Sequence, residues 1–241
     1  MSEKNEKNFR KFCVREDLSP FFDLISQKKD KFELYFRNLI NWNEKFNLTA
    51  ITEHDEVFEK HFLDSILAEQ FIPKNSTVID IGAGAGFPSF PLKIVRDDLK
   101  IVAVDSVNKK VSFLNDISIN LNFKNVSCLH ERAEDLAQKS DFREKFDVCV
   151  ARAVASLNIL CEYCLPFVKI GGIFLAYKSQ NLDEELKTAK NALSLLGGKV
   201  EKIVDFDLNG AERKIVVIRK ISPTPTKFPR LKNKPRISPL V

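Results

Sequence analysis

The stretch Asp80-Ile81-Gly82-Ala83-Gly84-Ala85-Gly86-Phe87-Pro88 follows directly on a short β-branched run, residues 76–81. Glycines at 82, 84 and 86 lack a Cβ, so the turn can be tight and a ligand can approach the backbone closely. A helix containing residues 91–95 follows, and its N-terminus favours negative charge. A glycine-rich loop alone is weak information. Its setting adds weight: the next strand, residues 100–105, closes on a second acid, Asp105, 25 positions after Asp80. An acid there is placed to accept hydrogen bonds from both hydroxyls of a ribose; its competing role is that of a helix-capping or turn residue. The spacing G-x-G-x-G differs from the dinucleotide pattern G-x-G-x-x-G. It points toward an adenosyl group without phosphates.

Working outward, strands and helices alternate. Residues 109–122 read as a helix, 125–129 as a strand, 133–138 as a short helix and 146–151 as a strand. Residues 157–168 read as a helix, 173–178 as a strand and 183–196 as a helix. This order implies a parallel sheet covered on both faces. The last two strand-like runs, 200–208 and 212–220, are joined by Asn209-Gly210, a pair that favours a tight hairpin. Five parallel strands ending in an antiparallel hairpin predict the class I S-adenosylmethionine-dependent methyltransferase (Rossmann-like) α/β fold. A nicotinamide-dependent oxidoreductase would need the other glycine spacing and a proton donor. In such a sheet the ligand lies beyond the carboxyl ends of the strands, where strand order reverses. Ala133 and Glu134, after the third strand, are placed to flank an adenine. Arg152, after the fourth, can reach the cofactor carboxylate or the substrate; an ordinary surface ion pair is its alternative. Lys178 is a weaker candidate on the substrate side.

The 241 residues suffice for one α/β domain with a helical extension, and 20 Phe within 44% apolar residues allow a sizeable core. The division expected is a helical extension over 1–72, a cofactor-binding core over 73–220 and a Pro-rich basic tail over 221–241. Leu34, Phe36, Leu39, Ile40 and Trp42 carry the helical spacing of the first part, as do Phe62, Leu63, Ile66 and Leu67. The last part holds five of the ten prolines and is expected to be extended. From residue 213 onward there are nine Lys/Arg and no acid, while the other 212 residues carry 29 basic and 33 acidic side chains, a net of −4. A near-neutral body with a basic end suggests a polyanionic partner rather than a merely solubilising tail. A non-catalytic RNA-binding protein would explain the tail but not the glycine loop with Asp105.

No apolar run approaches the roughly 20 residues of a membrane-spanning helix. The opening MSEKNEKNFRKF has no signal-peptide core, so a cytoplasmic protein is expected. Five scattered cysteines argue against a disulfide framework, and Cys161-x-x-Cys164 reads as two core residues; no metal site is expected. Of the three histidines, His130 reads as structural, and His61, with Asp64 and Ser65, could line the mouth of the site. None forms a recognisable nucleophile–base pair, so no catalytic side chain is assigned.

Asn47-Leu48-Thr49-Ala50-Ile51, His61-Phe62-Leu63-Asp64-Ser65, the stretch 80–88, Asp105-Ser106, Arg132-Ala133-Glu134, Ala151-Arg152-Ala153 and Phe228-Pro229-Arg230 form a specific combination. From about Trp42 onward the chain resembles the bacterial 16S ribosomal RNA guanine-N7 methyltransferases, also called glucose-inhibited division protein B. The resemblance implies S-adenosylmethionine as cofactor, with contacts at Gly82, Phe87, Ala133, Glu134 and Arg152 and with Asp105 and Ser106 close by. It implies 16S rRNA or the small ribosomal subunit as partner, and methylation of guanine N7; a methyltransferase of the same fold acting on another acceptor is the alternative. A monomer is expected. Where that family often has Gly-x-Pro in the tail, this chain has Lys232-Asn233-Lys234-Pro235. The first 30 residues show little resemblance and are assigned no role.

Overall fold

The computed structural model describes residues 13–15, 17–179 and 182–241. A short strand β1 (Cys13–Arg15) precedes helices α1 (Ser19–Gln27) and α2 (Lys29–Phe46). A continuous helical run, α3, joins His54–Val57, a π-helical turn over Phe58–Leu63 and Asp64–Ile66. Then come β2 (Thr77–Ile81), α4 (Ser89–Val95), β3 (Lys100–Asp105), α5 (Asn108–Asn120), β4 (Val126–His130), α6 (Ala133–Leu136) and β5 (Phe146–Arg152). The chain continues through α7 (Leu157–Cys164), β6 (Val168–Lys178), α8 (Leu182–Leu196), β7 (Gly198–Leu208), β8 (Ala211–Lys220) and α9 (Lys234–Ile237).

The strands form one sheet of eight in the order β1-β7-β8-β6-β5-β2-β3-β4. Among the described strands only β8 runs antiparallel to both its neighbours. It turns back through Asn209 and Gly210 at φ +48° and +85°, the paired left-handed conformations a two-residue hairpin requires. Strand order reverses between β2 and β5, which opens a crevice beyond their carboxyl ends. Side chains alternate across the sheet. Ile79, Ile81, Cys149, Ala151, Phe174 and Ala176 pack with α7 and α8 on one face. Val78, Val148, Val150, Ile173 and Leu175 pack on the other with Phe21 of α1, the end of α3 and Leu92 of α4. A third cluster seats α2, α3 and α5 against the glycine loop, with Phe32, Tyr35 and Leu39 of α2 fully buried.

Three expectations change. The helix expected over 157–168 stops at Cys164; a 3-10 turn, Leu165–Phe167, follows, and Val168 already opens β6. Pro166 has no N–H to donate and restricts the residue before it, which ends the helix. Within the first 30 residues, Cys13–Arg15 extends the sheet by pairing with β7, Cys13 opposite Ile203, while Phe21 meets Phe206 edge-on at 5.9 Å.

The end of the chain is not a free extended tail. Arg143 donates to the carbonyls of Thr224 at 2.8 Å and Phe228 at 2.9 Å. Buried Lys220 pairs with Glu144 at 3.2 Å and donates to the Thr224 hydroxyl; burial draws its ammonium down to about 8. Arg230 grips the fully buried Glu162 with Nε and Nη2 at 2.9 and 2.7 Å. Of the nine basic residues from 213 on, Arg213, Lys214, Arg219, Lys220 and Arg230 are ion-paired. Lys227, Lys232, Lys234 and Arg236 are exposed and have no acidic partner among the described residues. The charge available to a polyanion is therefore smaller than the composition implied.

Candidate functional site

The glycine loop leaves β2 in a conformation that L side chains resist: Gly82, Gly84 and Gly86 have φ of +74°, +61° and +91°. At Gly86 a Cβ would come within 2.3 Å of the Tyr35 hydroxyl, and at Gly82 within 2.7 Å of Val154. Tyr35 uses that hydroxyl to donate to the Ala85 carbonyl at 2.5 Å. The N–H groups of Gly82 and Ala83 donate to Val104 O at 2.9 and 3.0 Å, tying the loop to β3. Asp105 ties it a second time. Its Oδ2 accepts from Gly84 N–H and its Oδ1 from Val107 N–H, both at 2.9 Å. Asp105 thus faces the crevice and also plays the turn role that competed with it in the sequence, through Val107; its tie to Gly84 across the loop is the part the sequence did not reveal.

A cavity of about 290 Å³ opens at the ends of β2, β3 and β4. Gly82, Asp105, Ser106, Ala133 and Glu134 all line it, so five of the seven expected cofactor residues meet in one place. Glu131, Arg132, Val154, Tyr163, Asn233 and Arg236 also stand on its wall. Glu134 is buried, and its Oε1 accepts from Arg132 Nε at 2.9 Å. The walls suit a nucleoside without phosphates. Three carboxylates offer acceptors for hydroxyl and amino donors, and one of the two arginines, Arg132, is already paired with Glu134. Each carboxylate already has a cation beside it, Lys110 for Asp105, Lys139 for Glu131 and Arg132 for Glu134, so among the described residues Arg236 is the one wall cation without an acidic partner to meet a phosphate. His130 lies outside this wall and holds the Ser106 carbonyl at 3.1 Å, the structural role its position suggested.

Phe87 and Arg152 do not line this cavity. Arg152 lines a second one, of about 380 Å³, with Ile51, Lys60, His61, Lys178 and Arg213. Its guanidinium is fixed from three sides. Nη1 donates to Asp64 Oδ2 at 2.7 Å and to the Lys60 carbonyl at 3.0 Å, and Nη2 donates to His61 Nδ1 at 3.1 Å. It also sits 5.0 Å above the Phe87 ring. His61 stacks on the same ring at 4.5 Å, and Tyr35 at 5.7 Å. With Nδ1 accepting from Arg152, His61 carries its proton on Nε2 and donates it to Thr49 Oγ1 at 2.8 Å. Burial first, and the Arg152 charge second, draw the imidazole down to about 4, so it is neutral near pH 7. The segments 47–51, 61–65 and 151–153, far apart in sequence, thereby form one network. Lys178 reaches this cavity, yet its ammonium is held by Ala155 O at 2.8 Å and by Glu185.

Both cavities lie at the reversal point and share one turn. Arg152 and Ala153 face the second; Val154 faces the first. Ala153 has φ +56°, an uncommon conformation for a residue with a Cβ, which swings the chain between them. The sequence alone does not foretell this turn, nor the arrival of Asn233 and Arg236. Cys161 and Cys164 are fully buried, and Cys161 packs within the α7–α8 core. No group of three or more potential metal-binding side chains occurs among the described residues.

Known proteins share this chain's sequence and fold. Residues 28–216 match the family model GidB, described as rRNA small subunit methyltransferase G. The ribosomal RNA small subunit methyltransferase G of Lachnoclostridium phytofermentans is 48% identical over 223 residues, 91% of this chain and 92% of that protein. The protein of the same name from Acetivibrio thermocellus is 47% identical over the full length of both. Among solved structures, a SAM-dependent methyltransferase from Aquifex aeolicus aligns over 68% of this chain and 93% of its own at TM-score 0.51 and 18% identity. M. jannaschii TYW2 in complex with AdoMet aligns over 71% of this chain and 80% of its own, at TM-score 0.53 and 14% identity. These structures share the fold, the class I S-adenosylmethionine-dependent methyltransferase architecture. By the extent of the family match and the identity to its full-length relatives, the chain belongs to the GidB family, the rRNA small subunit methyltransferase G proteins.

Proposed function

We propose that this protein methylates N7 of a guanine in 16S rRNA, with S-adenosylmethionine held in the cavity lined by Gly82, Asp105, Ser106, Ala133 and Glu134. The observation that carries the reading is the pair of cavities joined by the single turn 152–154, one lined by three carboxylates and two arginines, the other by Lys60, Arg152, Lys178 and Arg213 with Asp64 and Glu185 between them. When bound, S-adenosylmethionine supplies an electrophilic methyl group on a sulfonium. Asp105 is placed to accept from ribose hydroxyls and Glu134 from an adenine amino group. Arg152 and Phe87 stand at the border, where they would orient the acceptor base and the methionyl end of the cofactor.

Guanine N7 carries a lone pair and no proton, so the chain needs no general base. The site agrees with that: the basic nitrogen of His61 is occupied by Arg152. The work left to the protein is alignment, which can contribute about 7–11 kcal/mol. In this reading residues 73–220 form the core, while the parts before and after it serve substrate and cofactor together. The exposed Lys227, Lys232, Lys234 and Arg236 are suited to RNA phosphates. No helix among the described residues is long and apolar enough to cross a membrane. The setting proposed is the cytoplasm, where a monomer meets the small subunit or its rRNA.

Nucleoside mass spectrometry of 16S rRNA from cells with and without the gene tests the function. Loss of one 7-methylguanosine, with borohydride–aniline cleavage at the same guanine only when the protein is present, is the expected result. Unchanged 7-methylguanosine would refute it.

A further inference from the structure

The first cavity has a wall that comes from the far end of the chain. After Arg230 seats on Glu162, the backbone enters a left-handed turn, with φ of +58° at both Lys232 and Asn233. That turn places Asn233 against Glu134, 99 residues away in sequence. Asn233 N–H donates to Glu134 Oε1 at 3.2 Å, and Tyr163 donates its hydroxyl proton to Asn233 Oδ1 at 3.2 Å. Arg132 approaches the same Oε1 from its own side through Nε and Nη2, both at 2.9 Å. The Asn233 N–H and both Arg132 nitrogens converge on one oxygen, and Tyr163 steadies Asn233 from behind. Among the described residues none donates to Oε2.

A carboxylate clamped by one oxygen presents the other in a fixed direction. Glu134 is buried, so a swing of the side chain would leave its charge without partners at high cost. We infer that Asn233 is a positioning residue of the cofactor site: with Arg132 it locks Glu134 so that the free oxygen selects a ligand carrying an exocyclic amino group, an adenosyl rather than an inosyl nucleoside. The inference rests on the cofactor placement proposed above. Asn suits the position, because it tolerates positive φ better than any residue but Gly and its side chain can hold Tyr163.

The test is calorimetric binding of S-adenosylhomocysteine and of S-inosylhomocysteine, which carries a keto group in place of the amino group. The parent protein should prefer the adenosyl compound by about tenfold or more, the worth of a hydrogen bond to a charged acceptor. Glu134→Gln should lose most of that preference. Asn233→Val, whose β-branched side chain resists positive φ, should lose it to a similar extent, and Asn233→Gly, which keeps the turn and the N–H but lacks the Oδ1 that holds Tyr163, should recover it to the level of Tyr163→Phe. Tyr163→Phe is the gentler variant if Asn233→Val fails to fold; it should narrow the preference several-fold at an unchanged thermal midpoint. Glu134→Gln losing the preference while Asn233→Val, or in its place Tyr163→Phe, keeps it would overturn the positioning role alone. Full preference in Glu134→Gln would overturn the cofactor placement and the inference with it.

Discussion

Replacing Arg230 by Met isolates the clamp that holds the C-terminal segment. Glu162 lies on α7 with its side chain 1% exposed, while the Arg230 side chain is 23% exposed. Three hydrogen bonds reach the carboxylate from Arg230: Nε at 2.9 Å, Nη2 at 2.7 Å and its own backbone N–H at 2.8 Å. The substitution removes the two charged ones and leaves a buried carboxylate with one neutral donor. Breaking a buried pair from one side costs about 3–5 kcal/mol. The surviving backbone bond and the partial solvent access of Arg230 bring the expectation to about 2–4 kcal/mol. For a chain of this size that is roughly 5–15 °C in Tm. Urea unfolding followed by circular dichroism reads it as a lower midpoint at unchanged slope. Adding Glu162→Gln should recover part of the loss, because the stranded charge disappears, with a coupling of about 1–3 kcal/mol. A loss below about 0.5 kcal/mol, or strictly additive effects in the double variant, would refute the clamp, since surface pairs behave that way.

Three further variants have expected outcomes. His61→Gln should keep most of the single-turnover methyl-transfer rate at saturating RNA, and a collapse in rate would mean that His61 acts as a base. The same variant should flatten part of the pH–stability curve. The parent's imidazole, held near 4 against about 6.5 when unfolded, gives stability that is present above about 6.5 and lost as pH falls through 4. Asp80, raised to about 7 by burial, acts in the opposite sense, its share present below about 3.9 and lost as pH rises through 7, so only the difference between variant and parent isolates His61. Asp105→Ala should weaken S-adenosylmethionine binding by about one to two decades or more, since it frees Gly84 N–H as well as removing the ribose acceptor; calorimetry showing unchanged affinity in the folded variant would rule out the assignment. Gly86→Ala should destabilise by several kcal/mol, roughly 3 or more, because it adds strain at φ +91° and a 2.3 Å clash with Tyr35; a thermal midpoint within a few degrees of the parent would contradict the geometry.

Much of the fold was legible because its signals are local. The β-branched run, the alternating glycines and Asn209-Gly210 each impose backbone geometry within a few residues. Cys13–Arg15 carries no such signal, being too short for periodicity. Pro166 was a readable stop that the apolar run around it disguised. The first cavity was legible because strand ends converge on it by topology, which brought together Gly82, Asp105, Ser106, Ala133 and Glu134. Arg152 lines the neighbouring cavity, and Phe87 packs beneath its guanidinium, because a side chain's direction at the end of a strand or in a loop is decided by its partners, here His61, Asp64 and Tyr35. The tail defeated reading for a similar reason. Its anchors, Arg143, Glu144, Glu162 and Glu134, lie roughly 65 to 100 positions away, and nothing in a Pro-rich basic stretch announces partners at that distance.

The place of β8 between β6 and β7 also bears on synthesis. A ribosome delivers β6 first, then α8 and β7, and β8 after them. Until β8 arrives, β6 has a neighbour only at β5, and its other edge, running past Ile173, Phe174, Leu175 and Ala176, is an apolar template open to any passing strand. β7 cannot close that edge, because it pairs with β8 and β1 and not with β6. The nascent chain therefore passes through an interval in which a strand destined for the core is open along one edge. Chains cut short between Leu208 and Lys220 would remain in that state after release, which makes them clients for chaperones that cover strand edges.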